Sequence, residues 1–300
     1  MDSIIEIISN AYSNYASYFW RSLIHPFFEG DLNYFYYLIL VSLAVWGLEI
    51  LLPWRKKQAL FRKDFWLDAF YMFFNFFFFN LLLYTALSDV SVYYLNRVLS
   101  AVGIESVTLY DFSGQAMWIQ FLAFFLLSDF IQWSVHNLLH RVDFLWQFHK
   151  VHHSVKEMGF AAHLRYHFME TVVYNSLKYL GLIMLFNFSL QDAFIIHGVT
   201  ILIGHLNHAN VSWDYGPLKY ILNNPKMHIW HHAKDLPESH PKGMNFGISL
   251  SLWDYVFGTN YIPHSGRDIE LGFDDDEEYP QGFFSQLVEP FKKIFTSPKN

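Results

Sequence analysis

The feature that most constrains this chain is a set of long stretches without charge. Residues 69–88 hold no acidic or basic side chain, and 32–48 are also uncharged, with Glu49 the one interruption before Pro53. A helix rises 1.5 Å per residue, so roughly 20 apolar residues cross ~30 Å of hydrocarbon. A third run, 113–135, carries one charge, Asp129. A fourth and fifth, about 171–188 and 193–204, form a hairpin weakened by Lys178, which either crosses the membrane or dips in and returns. Charged residues make up 16% of the chain and aromatics 20%, including 32 Phe. A soluble domain carries roughly 25% charged residues. Together these features predict an all-α integral membrane helical bundle with about four to five membrane helices. Residues 1–31, apolar at helical spacing, predict an amphipathic interfacial segment. With Asp2 and Glu6 near the start and no basic n-region, no cleaved signal peptide is expected.

The loop after the first run carries Arg55, Lys56, Lys57, Arg62 and Lys63 before its first acid, Asp64. The next loop, 89–112, has only Arg97 against Asp89, Glu105 and Asp111. The excess of Lys and Arg puts the first loop in the cytoplasm. Counting crossings then brings His136 and His208 back to that same face. The net charge of −7 excludes a phosphate-neutralising surface, so no nucleic acid is expected. Its acidic run, 274–278, reads as a solvated loop.

There is no cysteine, which excludes thiolate zinc sites, iron–sulfur clusters and Cys-ligated haem. Histidine is abundant, at 16 residues, and clustered. His136 and His140 are four apart. His149, His152 and His153 form H-x-x-H-H, and His228, His231 and His232 repeat it. Residues three and four apart share a helix face, so each cluster presents its imidazoles from one turn. His208 is a ninth candidate, and a tenth comes from His163, His167 or His205. One metal takes three or four imidazoles, so this supply suits two. Imidazole alone does not choose between zinc, copper, iron and nickel. His25, His197, His240 and His264 read as isolated interfacial or surface residues. Glu-x-x-His and H-E-x-x-H are absent, which argues against a ferritin-like site and a zinc protease. Asp129, two helical turns before His136, is a candidate partner for a ligand imidazole. Arg165 and Glu170, beside His167, are candidates for a buttressing ion pair.

The pattern resembles the fatty acid hydroxylase/sterol desaturase superfamily. The resemblance runs over about 129–259: H-N-L-L-H-R at 136–141, F-H-K-V-H-H-S at 148–154, L-R-Y-H-F-M-E at 164–170, H-A-N-V at 208–211, P-K-M-H-I-W-H-H at 225–232, N-F-G at 245–247 and W-D-Y-V-F-G-T at 253–259. It implies a cytosolic histidine-rich helical cap on the membrane helices and a di-iron centre that activates O2 to hydroxylate or desaturate a sterol, fatty acyl chain or related lipid. It implies His136, His140, His149, His152, His153, His208, His228, His231 and His232 as ligands. Relatives often carry Pro after the His of R-x-H; here Phe168 stands there, which leaves His167 open. The expected division is then 1–31 interfacial, 32–135 transmembrane, 136–260 a di-metal domain with a hairpin at 171–207, and 261–300 a soluble tail. The resemblance places the protein in a bacterial inner membrane or the endoplasmic reticulum. No Gly-rich nucleotide motif is present, so electrons are expected from a separate protein: cytochrome b5, a ferredoxin or a reductase. The lipid would enter between the helices. The alternative is a histidine-based membrane metal transporter or metal-binding protein. It needs a polar path through the spans, where only Asp129, Asn75 and Asn80 are polar candidates.

Overall fold

In a computed structural model, residues 4–28 and 31–296 are described. Positions 1–3 and 29–30 of the expected interfacial segment, and 297–300 of the tail, lie outside them. Among the described residues the fold is helical, apart from a ribbon pairing Phe27–Phe28 with Asp31–Leu32.

Helix α1 (Ile4–Ile24) precedes α2 (Tyr34–Leu51), whose first turn is closed by Asn33 accepting from the backbone N–H groups of Phe35 and Tyr36. Helix α3 (Phe65–Phe73) runs on through π-type turns, Phe74–Tyr84, into α4 (Thr85–Ala101). The uncharged run 69–88 is thus the middle of a longer helical rod. Its Asn75 is fully buried and donates to the carbonyls of Leu164 and Tyr166, at 3.2 and 2.6 Å. A polar residue in an apolar helix is spent here on fastening the rod to the loop beneath.

Helix α5 (Met117–Arg141) carries the third run and continues through both of its histidines. By length and composition α2 and α5 can cross a membrane, and only 22% and 28% of their most apolar windows are buried. Leu40, Leu43, Leu51, Trp118, Leu122 and Leu138 face outward. Apolar helices with exposed apolar faces mark a membrane protein. The first arm of the expected hairpin is one continuous but irregular helix: α7 (Phe168–Asn175) passes through a π-type stretch, Ser176–Gly181, into α8 (Leu182–Phe186). The second arm, α9 (Leu190–His208), starts with a reciprocal cap between Ser189 and Asp192 and packs on α2 and α5.

Two short helices lie beneath: α6 (Asp143–His153) and α10 (Pro225–His231). Helix α10 is opened by the Asn224 side chain and by Pro225 in its first turn. A buried strap, 243–251, leads into α11 (Leu252–Phe257), and α12 (Phe283–Thr296) closes the chain against α6. Two expectations for the end of the chain change. Within the acidic run Asp276 is buried, ion-paired with Lys156 and Lys234. In the tail Gln286 is fully buried, accepting from the Tyr71 hydroxyl at 3.0 Å. That helix is therefore part of the core.

Candidate metal centre

Four helices deliver nine imidazoles to one buried region, in two groups. His136, His140, His149, His153 and His231 form one; His152, His208, His228 and His232 form the other. Within each group one ring nitrogen per residue lies within 4.8 Å of all the others. Helix geometry makes the division. On α6 the i, i+4 pair His149 and His153 serves the first group, while His152, on a different azimuth, serves the second. On α10 the sense reverses: His231 joins the first group, and His228 and His232 the second. Helix α5 adds His136 and His140 to the first, and α9 adds His208 to the second. The two H-x-x-H-H motifs thus each bridge both groups.

Hydrogen bonds then fix which nitrogen faces inward. The Nδ1 of His136 meets the Phe246 carbonyl at 2.7 Å, that of His231 the Met244 carbonyl at 2.8 Å, and that of His208 the Gly204 carbonyl at 2.7 Å. His152 Nδ1 meets the Arg165 carbonyl at 3.0 Å and His149 Nδ1 the Glu170 carboxylate at 2.8 Å. A carbonyl or carboxylate only accepts, so each Nδ1 carries the proton and each Nε2 is a bare lone pair. Two such lone pairs confront each other at 3.1 Å between His136 and His149, and at 3.3 Å between His152 and His208. Acceptor against acceptor at that separation is repulsive unless a cation lies between or beside them. Further, His140 Nε2, His228 Nδ1 and both nitrogens of His232 are buried without a hydrogen-bond partner. Buried polar atoms are rarely left so. The donor set therefore fits two cations, one per group.

Burial also keeps the rings neutral, as a ligand must be. It pushes His149 and His152 down to about 3, and His153, His228, His231 and His232 well below the ordinary imidazole value. In the metal-free protein these rings bind fewer protons folded than unfolded. Stability is then full above pH ~6.5 and is lost as pH falls from there toward 3. Denaturant titrations of the metal-free protein across that window are expected to show midpoints falling with pH; a flat profile would contradict the buried neutral rings.

The supporting residues differ in part from those expected. Asp129 does not touch His136: its two oxygens accept from the Ser249 backbone N–H at 3.2 Å and the Trp253 indole at 3.0 Å. It anchors the end of the strap whose carbonyls orient His136 and His231. Arg165 and Glu170 do not pair with each other. The Arg165 guanidinium instead reaches Asp68 at 3.1 Å and Asp64 at 3.3 Å, leaving Glu170 to His149. His167 caps α7, its Nδ1 accepting from Met169 N–H and its Nε2 on the Leu287 carbonyl, so neither nitrogen is free for metal. His205 is held between Ser42 and His163, at 3.1 and 2.9 Å. His163 lies with its ring 5.2 Å from that of His208, over Gly204, where a Cβ would collide with it. None of these three joins either group.

One residue has a role that the sequence does not show. Asp254 is fully buried and accepts from the N–H groups of Phe246 and Gly247, both at 2.9 Å, from the Trp133 indole at 3.0 Å and from the Thr259 hydroxyl at 2.6 Å. It locks the strap that positions two imidazoles of the first group. Gly247 is required there, since a Cβ would meet the Leu250 carbonyl at 2.2 Å. Within W-D-Y and N-F-G only the family pattern marked these residues. Glu170→Gln removes the carboxylate behind His149 while keeping its shape. A metal affinity lower by about 10–100-fold is expected, read by chelator competition; unchanged affinity would deny Glu170 that role.

Residues 121–259 match the fatty acid hydroxylase family, in line with the resemblance read from the histidine motifs. That segment contains every member of both histidine groups. Among characterised proteins the chain is 34% identical over 167 residues to ornithine lipid hydroxylase OlsE of Rhizobium tropici, covering 56% of this chain and 49% of that one. It is 28% identical to human alkylglycerol monooxygenase, covering 52% of this chain and 33% of that one, and 30% identical to the Danio rerio alkylglycerol monooxygenase, covering 51% and 32%. The chain thus spans about half the length of the first relative and a third of the others. No solved structure matches it.

Proposed function

We propose that this chain is a membrane-bound non-haem di-iron oxidoreductase that hydroxylates a lipid, using O2 and electrons from a separate protein. The observation that carries the proposal is the opposition of Nε2 lone pairs inside two groups of buried, neutral imidazoles. His136, His140, His149, His153 and His231 would hold one iron; His152, His208, His228 and His232 the other. Bound there, the irons would supply O2 activation and oxidation of an unactivated C–H bond. The balance is R–H + O2 + 2e⁻ + 2H⁺ → R–OH + H2O, with the electrons from cytochrome b5, a ferredoxin or a reductase. The relatives are named for hydroxylation and mono-oxygenation, which favours an alcohol over an alkene as product.

The chain's own residues do the rest. The strap carbonyls and Glu170 keep three imidazoles, His136, His231 and His149, in one tautomer, and the carbonyls of Gly204 and Arg165 do the same for His208 and His152. A cavity of about 100 Å³ opens on His136, His149, His152 and His208. Its lining also includes Leu164, Ile201 of α9 and Ile248 of the strap, which would exclude water around a lipid carbon. The arginine- and lysine-rich loop after α2 supports a cytoplasmic placement of the centre.

The test is lipid mass spectrometry on cells with and without the chain, grown under isotopically heavy O2. A lipid carrying one heavy oxygen, present only with the chain, is expected. A chain-dependent product whose oxygen comes from water would overturn the proposal.

A further inference from the structure

The cavity that ends on the histidines carries a feature that O2 chemistry does not use. Lys178, in the π-type stretch of the hairpin's first arm, lines it and is only 5% exposed. A buried ammonium is costly unless paired. Among the described residues no carboxylate lies within 4 Å of it. Its hydrogen-bond acceptor is the neutral Gln132 side chain on α5, and its Nζ stands 5.3 Å from the centre of the Tyr179 ring. The nearby acid, Asp129, attracts the ammonium without touching it, and its hydrogen bonds go to Ser249 and Trp253. An ammonium has three donors, so Lys178 keeps donors for something that enters the cavity. The acid on the wall, Glu170, belongs to the histidine end, where it holds His149. Eight residues of helix separate the two, a distance on the order of 10 Å. The cavity therefore has a metal end and a cationic end. Ionisable residues inside a membrane helix mark a substrate or ion path by default.

We propose that Lys178, held by Gln132, docks an anionic oxygen of the lipid substrate, a carboxylate or phosphate, and so sets which carbon reaches the histidine end. The inference rests on reading this cavity as the substrate site. It makes the substrate an acidic lipid, oxidised at a fixed distance from its charge. Lys178 acts as a positioning residue, since it meets the acidic group and not the reacting carbon.

The test is binding to the purified, iron-loaded full chain in neutral detergent. The probes share one acyl length: oleic acid, oleoyl lysophosphatidic acid and uncharged oleyl alcohol. At least one acidic probe is expected to bind about tenfold more tightly than the alcohol, as a charge-assisted hydrogen bond allows; which one it is separates carboxylate from phosphate. Lys178→Met is expected to erase that preference without weakening the alcohol, and Lys178→Arg to keep most of it. Gln132→Glu, nearly the same shape, gives Lys178 an internal counter-ion and should also erase it, so the test survives if Lys178→Met fails to fold. Equal binding of acid and alcohol to the unaltered chain, or a preference that survives both Lys178→Met and Gln132→Glu, would overturn the inference. Iron is counted on the same samples. Two irons with no acid preference sinks the docking site alone; an acid preference with less than one iron sinks the di-iron reading alone.

Discussion

His231→Ala is expected to empty the first histidine group of metal and reduce lipid oxidation by at least about 100-fold. His231 is the one member of that group on α10; its ring lies 4.4 Å from His136 and 4.7 Å from His153. Alanine leaves the other four imidazoles without the partner that closes the group against α10. Loss of a residue that merely orients a ligand costs 10–100-fold in affinity, so loss of a ligand costs more. The fold should persist, because the deletion also relieves crowding among buried rings. The comparison is His25→Ala, an exposed histidine far from either group in sequence. Metal analysis and product yield are read on both. His25→Ala should match the unaltered chain in each. If His231→Ala keeps its metal and its activity, the first group is not a metal site.

Asp254→Ala is expected to damage the protein more broadly than any single histidine replacement. It strips the acceptor from four donors: two backbone N–H groups, an indole and a hydroxyl. Each buried donor left unsatisfied costs about 1–3 kcal/mol. Even with partial relaxation, the sum reaches about 4 kcal/mol or more, a large share of a typical domain's 5–15 kcal/mol. The strap then loosens, and with it the carbonyls of Met244 and Phe246 that orient His231 and His136. Low yield of folded protein and poor metal retention should appear together. Asp254→Asn keeps shape and one acceptor oxygen, and should fold while binding metal more weakly. Thermal unfolding and metal content on the two variants separate the effects. An Asp254→Ala protein with unchanged melting and full metal would refute the role given to the strap.

The contrast between these two residues shows what a sequence can carry. The histidines were legible because imidazole chemistry and i, i+3, i+4 spacing both leave marks in the chain. Their partition into two groups was not, because it depends on how α6 and α10 are rotated against α5 and α9. Membrane helices show in the sequence by missing charges, yet the π-type stretch at Ser176–Gly181 does not. Lys178 had registered there only as a weakness in a hydrophobic run. Backbone carbonyls have no signature of their own, so the strap at 243–251 stayed invisible, and with it the purpose of Asp254. Asp129 stands out in the sequence as the one charge of an apolar run, and its spacing points to His136 instead of to its actual partners. On a helix it shares a face with His136, whereas in the structure its oxygens hold Ser249 and Trp253 and His136 is held by the Phe246 carbonyl. His167 failed for a related reason: a histidine at a helix start can serve the backbone as a cap, and motif spacing does not distinguish that from ligation.

The account depends on metal filling the space between opposed imidazoles. Its most direct test is the iron content of the purified, iron-replete chain, measured by elemental mass spectrometry against a quantitative amino-acid count. Two irons per chain is the expected result. Less than one, with no other transition metal in its place, would contradict it.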